Sequence, residues 1–186
     1  MTQLDLAILD WMQLHIRCEF LDRVMPVLTA LGNAGIFWIL LTVVLLCTKR
    51  YRRLGILCAC SLVLDLVVCN LTIKPLVDRV RPFVLNPSAP ELLVAPLGDA
   101  SFPSGHTAAS FAATSALYAG GSRLWIPAAV LSLLIAFSRL YLYVHYPSDV
   151  LAGMVLGTVL GFVARWLCLR AESWWKARRA RREKEC

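Results

Sequence analysis

Residues 54–73 are an almost unbroken apolar run, interrupted only by Asp65 and Asn70. Its length is the roughly twenty residues that a helix needs to cross the hydrocarbon core of a bilayer. Further apolar runs occupy residues 20–31, 35–48, 103–119, 124–139 and 147–169, the first of them short enough to be a partial or tilted span. The chain is 59% hydrophobic and 17% charged, whereas a soluble domain is nearer half apolar and a quarter charged. No internal repeat or strand pattern stands out. The expectation is an all-α, polytopic membrane helix bundle of about six spans, forming one domain over residues 1–186.

Charge orients the bundle. The net charge is +7, and the basic residues gather at Lys49–Arg53 and in the tail, residues 170–186. Basic loops favour the cytoplasmic side, and a basic tail directly after a span suits anionic headgroups better than nucleic acid. With both clusters cytoplasmic, residues 74–102 and 139–149 fall together on the extracytoplasmic face. The 74–102 connection contains Pro75, Pro82, Pro87, Pro90 and Pro96, and a loop of that length is more often functional than a plain connector. Residues 1–19 read as an amphipathic segment, with Leu4, Ala7, Ile8, Trp11, Leu14 and Cys18 at helical spacing, suited to a helix on the membrane surface. Asp5, Asp10, Glu19 and Asp22 break up any signal-peptide core, so insertion is expected to rely on the spans themselves.

Several residue sets invite more than one reading. The cysteines, at 18, 47, 58, 60, 69, 168 and 186, show no CxxC spacing and are taken as packing residues. Gly153, Gly157 and Gly161 fall at four-residue steps, which fits packing within the bundle or a dimer seam. Tyr141, Tyr143 and Tyr146 are consistent with an interfacial aromatic belt. Asp65 is either an intramembrane acid with a function or a carboxyl satisfied by Ser or Thr on a neighbouring span.

Three polar clusters remain. The first is Lys74, six residues, then Arg81-Pro82; the second is Pro103-Ser104-Gly105-His106; the third is Ser138-Arg139, five residues, His145, three residues, Asp149. Lys74, Arg81 and Arg139 supply the positive charge that a phosphoryl group needs as negative charge spreads over its oxygens. An arginine fork matches phosphate oxygens in pairs. Ser104 and the Gly105 N–H stand at a helix start, which favours an anion. No Cys/His cluster has metal-ligand spacing and the acids are too scattered for two metals, so neither metal nor cofactor is expected.

In order and spacing these clusters resemble the type 2 phosphatidic acid phosphatase superfamily, whose members include undecaprenyl pyrophosphate phosphatases and the soluble vanadium haloperoxidases. The resemblance implies that His145 is the nucleophile forming a phosphohistidine, that Asp149 holds its other ring nitrogen, and that His106 protonates the leaving oxygen and later activates water. It implies phosphate contacts from Lys74, Arg81, Ser104, Gly105 and Arg139 without a metal ion. Asn70, one turn before Lys74, reads as support for the site, whereas Asp78 and Arg79 fall at free positions and are left out. The substrate expected in a small membrane chain is a lipid-linked phosphate, foremost a polyprenyl pyrophosphate in the bacterial plasma membrane. Phosphatidylglycerophosphate and phosphatidic acid are the alternatives, and a non-catalytic binder or transporter of anionic lipid is the rival from another class. Oligomeric state is left open.

Overall fold

In α7 (Gly105–Ala119) nearly every residue from Thr107 to Leu117 is buried, most of them Ala, Ser or Thr. A helix so poor in bulk can be central only where neighbouring backbones approach closely, and this one is the axis of the protein. Described over residues 2–86 and 89–185, the computed structural model is all-helical in its regular elements. Before α7 come α1 (Thr2–His15), α2 (Glu19–Gly32), α3 (Ile36–Cys47) and α4 (Arg52–Asp65), then a π-helical stretch at Leu66–Ile73 and the short α5 (Lys74–Val77) and α6 (Pro82–Leu85). After it come α8 (Trp125–Tyr141) and α9 (Pro147–Glu185).

α9 packs along α7 through the three spaced glycines. A Cβ at Gly153 would stand 2.7 Å from the Ser104 carbonyl oxygen, and Cβ atoms at Gly157 and Gly161 would run into the α7 backbone at Ala108 and Ala112. Of the two readings of these glycines, packing within the bundle is the one the structure adopts. Small hydroxyls complete the interior. Trp38 Nε1 donates to Ser110 Oγ at 2.9 Å, and Thr114 and Ser132 hydroxyls meet at 2.8 Å. Many aliphatic side chains, among them Val43, Val63, Val130, Val155 and Val159, point outward. Small and hydroxyl-bearing residues where helices meet, with apolar side chains on the outer surface, is the arrangement of a protein solvated by lipid.

This is an integral membrane protein with helices suited to crossing the bilayer. Among the described residues, three stretches are long and apolar enough to do so by themselves: Glu19–Cys47, Arg52–Leu85 and Pro147–Arg182. The runs expected at 20–31 and 35–48 therefore join, through a kink at Asn33–Gly35 where Ala34 and Gly35 take positive φ. α7 and α8 are shorter. The last helix continues well past Leu169, so the basic tail is helical as far as Glu185. The 74–102 connection begins in helix, because the π stretch runs straight into α5; its residues 87–88 lie outside the described residues, as does Cys186. The other cysteines are free thiols, with Cys58 and Cys69 buried.

Leu54, just after the Lys49–Arg53 cluster, lies against Gly120 at the far end of α7 from Gly105. The C-terminal end of α9 points the same way. Both basic clusters thus share one end of the bundle, and the starts of α7 and α9 share the other with Lys74 and the end of α8.

The tyrosine belt is a correction. Tyr141, Tyr143 and Tyr146 are all buried. Tyr141 donates to Asp22 Oδ1 at 2.7 Å and Tyr143 to Asp10 Oδ1 at 2.6 Å, so α2 and α1 fold over the 141–146 segment and its hydroxyls find carboxylates instead of headgroups. On α1 the stripe of Leu4, Ile8, Trp11 and Leu14 is exposed while Asp5, Leu9 and Met12 face the protein.

Candidate active site

Each polar cluster reaches the site from the end of a helix. The α4 helix widens in the π stretch, where Thr72 Oγ1 donates back to the Val67 carbonyl at 2.8 Å, and delivers Lys74 at its far end. Asp78, at φ 42°, reverses the chain so that Arg81 returns to the same place. Arg139 stands in the last turn of α8. Tyr143, at φ 59°, then turns the backbone so that His145 points back into the bundle before α9 begins.

Lys74, Arg81, Gly105, His106 and His145 line one cleft of about 510 Å³. Arg81 Nη1 donates to the Val144 carbonyl at 2.7 Å and stands 3.4 Å from His145 Nε2. A guanidinium only donates, so the Nε2 lone pair faces Arg81 and the cleft, and the ring proton lies on Nδ1. Nδ1 is 3.5 Å from Asp149 Oδ2 and 3.5 Å from Ser101 Oγ. Asp149 Oδ2 also accepts from Ser101 Oγ at 2.5 Å and from the Tyr146 N–H at 3.1 Å. Burial, reinforced by the positive charges of Arg139, Arg81 and Lys74, holds the His145 imidazole well below its ordinary pKa. It is therefore neutral at neutral pH and keeps a free lone pair.

His106 Nε2 is 2.8 Å from Asn33 Oδ1, which can only accept, so that nitrogen carries a proton. The ring is tight against Gly32, where a Cβ would come within 2.7 Å of His106 Cδ2. At Gly105 a Cβ would meet Asn70 Oδ1 at 2.9 Å, which explains why a glycine starts α7 and places Asn70 where the spacing suggested.

Not all the expected phosphate ligands line the cleft. Ser104 is buried behind it, its hydroxyl 3.0 Å from Thr107 Oγ1 and its N–H donating to the Asp149 carbonyl at 3.1 Å. It ties the starts of α7 and α9 together. Arg139 is buried and hydrogen-bonds Thr29 through Nη1, leaving Nε and Nη2 without a hydrogen-bond partner in the described structure. Buried guanidinium nitrogens left unpaired are costly, and a tetrahedral oxyanion is the ligand whose oxygens would meet them.

Three participants escaped the sequence reading. Asp99 pairs with Lys74 and accepts from Arg81 Nη2 at 2.7 Å. Burial alone would raise its carboxyl, but Lys74 and then Arg81 outweigh this and hold it at about 2. Ser101 bridges His145 and Asp149. Arg79, left out of the expected site, donates to Asp149 Oδ1 at 2.5 Å, to Ser148 Oγ at 2.7 Å and to Asp5 Oδ2 at 2.8 Å. The αL turn at Asp78 swings it behind Asp149, a placement that spacing along the chain does not encode. Among the described residues, no hydrogen bond from a neighbouring Ser or Thr to Asp65 Oδ1 is found. Asp65 is buried in the cleft wall.

Residues 53–173 match the family model described as PAP2 superfamily. The chain belongs to the PAP2 superfamily. Along 146 residues it is 34% identical to an undecaprenyl-diphosphatase of Sulfolobus acidocaldarius, covering 77% of this chain and 69% of that one. It is 30% identical to undecaprenyl-diphosphatase BcrC of Bacillus subtilis, with 77% and 72% covered. In three dimensions it is similar to a transmembrane PAP2-type phosphatidylglycerolphosphate phosphatase from Bacillus subtilis, at a TM-score of 0.72 and 26% identity, with 91% and 86% covered. As a PAP2 protein it is a phosphatase of lipid phosphates, in a family that works without a metal ion.

Proposed function

We propose that this PAP2 phosphatase hydrolyses a polyprenyl diphosphate of the undecaprenyl diphosphate class at the extracytoplasmic face of the bacterial plasma membrane. The observation that carries this is the shape of the cleft. Its polar end holds Lys74, Arg81, His106 and His145, while Ile39, Val63 and Leu66 line the rest and are each at least 50% exposed on the lipid-facing surface. A diphosphate can thus sit at the cations while its isoprenoid tail stays in the bilayer. The names of the relatives agree with this substrate class. We count α2–α3, α4–α5, α7, α8 and α9 as one crossing each, which puts the basic tail in the cytoplasm and α1 with the site outside.

In the reaction we propose, His145 Nε2 attacks the terminal phosphorus while Lys74, Arg81, Arg139 and the Gly105 N–H hold its oxygens. The bond to the bridging oxygen breaks, and that oxygen leaves on the lipid monophosphate with a proton from His106, which enters the step as the imidazolium beside the anionic diphosphate and ends it as the neutral imidazole. Asp149 keeps the proton of His145 on Nδ1 and offsets the positive charge of the phosphohistidine. His106, now without its proton, takes one from water, which attacks the phosphohistidine and releases inorganic phosphate. Ser104 contributes by holding α7 against α9.

The fold similarity to the phosphatidylglycerolphosphate phosphatase favours a second reading, in which the same cleft takes a glycerolipid phosphate. Phosphate release from undecaprenyl diphosphate, phosphatidylglycerophosphate and phosphatidic acid, each with excess EDTA, separates the two. The expected result is preferred turnover of the diphosphate, undiminished by chelation and abolished by His145→Ala. Preference for either glycerolipid would move the assignment, and full turnover by His145→Ala would end the phosphohistidine mechanism. A lipid binder without turnover needs neither histidine.

A further inference from the structure

Arg79 ties the site to the amino-terminal helix. Its guanidinium lies between two carboxylates that are 74 and 70 residues away in sequence, Asp5 and Asp149. Both are buried, Asp149 completely. Ser148 closes the arrangement from the other side, its N–H donating to Asp5 Oδ1 at 3.1 Å and its hydroxyl to Asp5 Oδ2 at 2.6 Å. The Tyr146 ring covers the guanidinium face at 3.9 Å.

The geometry matters because of what Asp149 must do. Oδ2 is already engaged by Ser101 and the Tyr146 N–H on the side that faces His145 Nδ1. Oδ1 is engaged by Arg79. With both oxygens held, the carboxylate plane has one orientation. Without Arg79, Oδ1 would be a buried acceptor with no hydrogen bond shown to it, on a charge that no other lysine or arginine pairs among the described residues. Arg79 is kept in place by Asp5, since a free arginine on this loop would spread over its rotamers in water. Asp5 in turn comes from α1, which is seated by Leu9 packing on Tyr143 and Tyr146.

We infer that Arg79 is a positioning residue for the His145–Asp149 pair, and that Asp5 makes α1 a working part of the active site. The inference rests on the proposed roles of those two residues. The chain of contacts runs Asp5, Arg79, Asp149, His145, and only the last touches the phosphorus.

The test uses the full chain in lipid–detergent micelles, with turnover expressed per folded molecule and thermal stability measured in parallel. Wild type and His145→Ala are run first on the preferred lipid phosphate. If wild type is inactive, or His145→Ala is fully active, the proposed function is what fails. Given that reading, Arg79→Gln is expected to lower kcat by about 10–100-fold, the usual cost of losing an outer partner, with KM changed by less than about threefold. Arg79→Lys, keeping the charge, recovers part of that loss. Asp5→Asn lowers kcat by a smaller factor, and the Asp5→Asn/Arg79→Gln double variant is no slower than Arg79→Gln alone, because the two act in series. Leu45→Ala, in the α3–α4 core away from the site, removes packing only; it lowers thermal stability and leaves kcat per folded molecule unchanged. Equal kcat losses in Leu45→Ala and Asp5→Asn at equal loss of stability would overturn the inference, as would an Arg79→Gln effect confined to KM.

Discussion

Asp149→Asn keeps the shape of a side chain with 0% exposure and removes its charge. In the proposed reaction His145 gains positive charge 3.5 Å from Asp149 Oδ2. Two unit charges at that separation attract by about 4.7 kcal/mol at an effective dielectric constant of about 20. With about half of the charge developed at the transition state, the loss is about 2.4 kcal/mol, or about 50-fold in rate. The asparagine adds a mismatch, because its amide must turn its NH2 either to Arg79 or to Ser101 and the Tyr146 N–H, all of which donate. The assay is phosphate release under saturating substrate, with phosphoenzyme trapped in acid-free quench and thermal stability followed in the same detergent. The expected outcome is a kcat loss near that factor with KM nearly unchanged. A kcat within about threefold of wild type, in folded protein, would refute the electrostatic role of Asp149.

Two further outcomes follow from packing and from ionisation. Gly157→Leu forces a side chain into the Ala108 backbone, so it should destabilise the protein by about 1–3 kcal/mol or more, read as a lowered melting temperature in detergent; unchanged stability would mean that α7 and α9 are not in contact along this face. The His145 imidazole is held well below its ordinary value, below the unfolded value of about 6.5, so its contribution to stability is complete above that pH and declines as pH falls toward the folded value. In ligand-free enzyme its ¹⁵N signals, assigned by their loss in His145→Ala, should stay at the neutral position at pH 6; a midpoint at or above about 6.5 would contradict the burial argument.

The amino-acid order alone determined the all-α class and singled out most of the residues that line the candidate site. Apolar runs of bilayer length are local features, and so are the spacings Lys74 to Arg81, Ser104 to His106 and Arg139 to His145 to Asp149. The glycine steps at 153, 157 and 161 were likewise legible as a seam, because helical periodicity places them on one face. What tertiary structure decided is every contact made between distant segments. The sharing of Arg79 by Asp5 and Asp149, the approach of Asn33 to His106, and the pairing of Asp99 with Lys74 join residues tens of positions apart. The tyrosines at 141, 143 and 146 are buried because α1 and α2 return over them, which no property of that short segment reveals. A periodic pattern states which face of a helix is apolar; the charge that meets a given carboxylate depends on where the chain comes back.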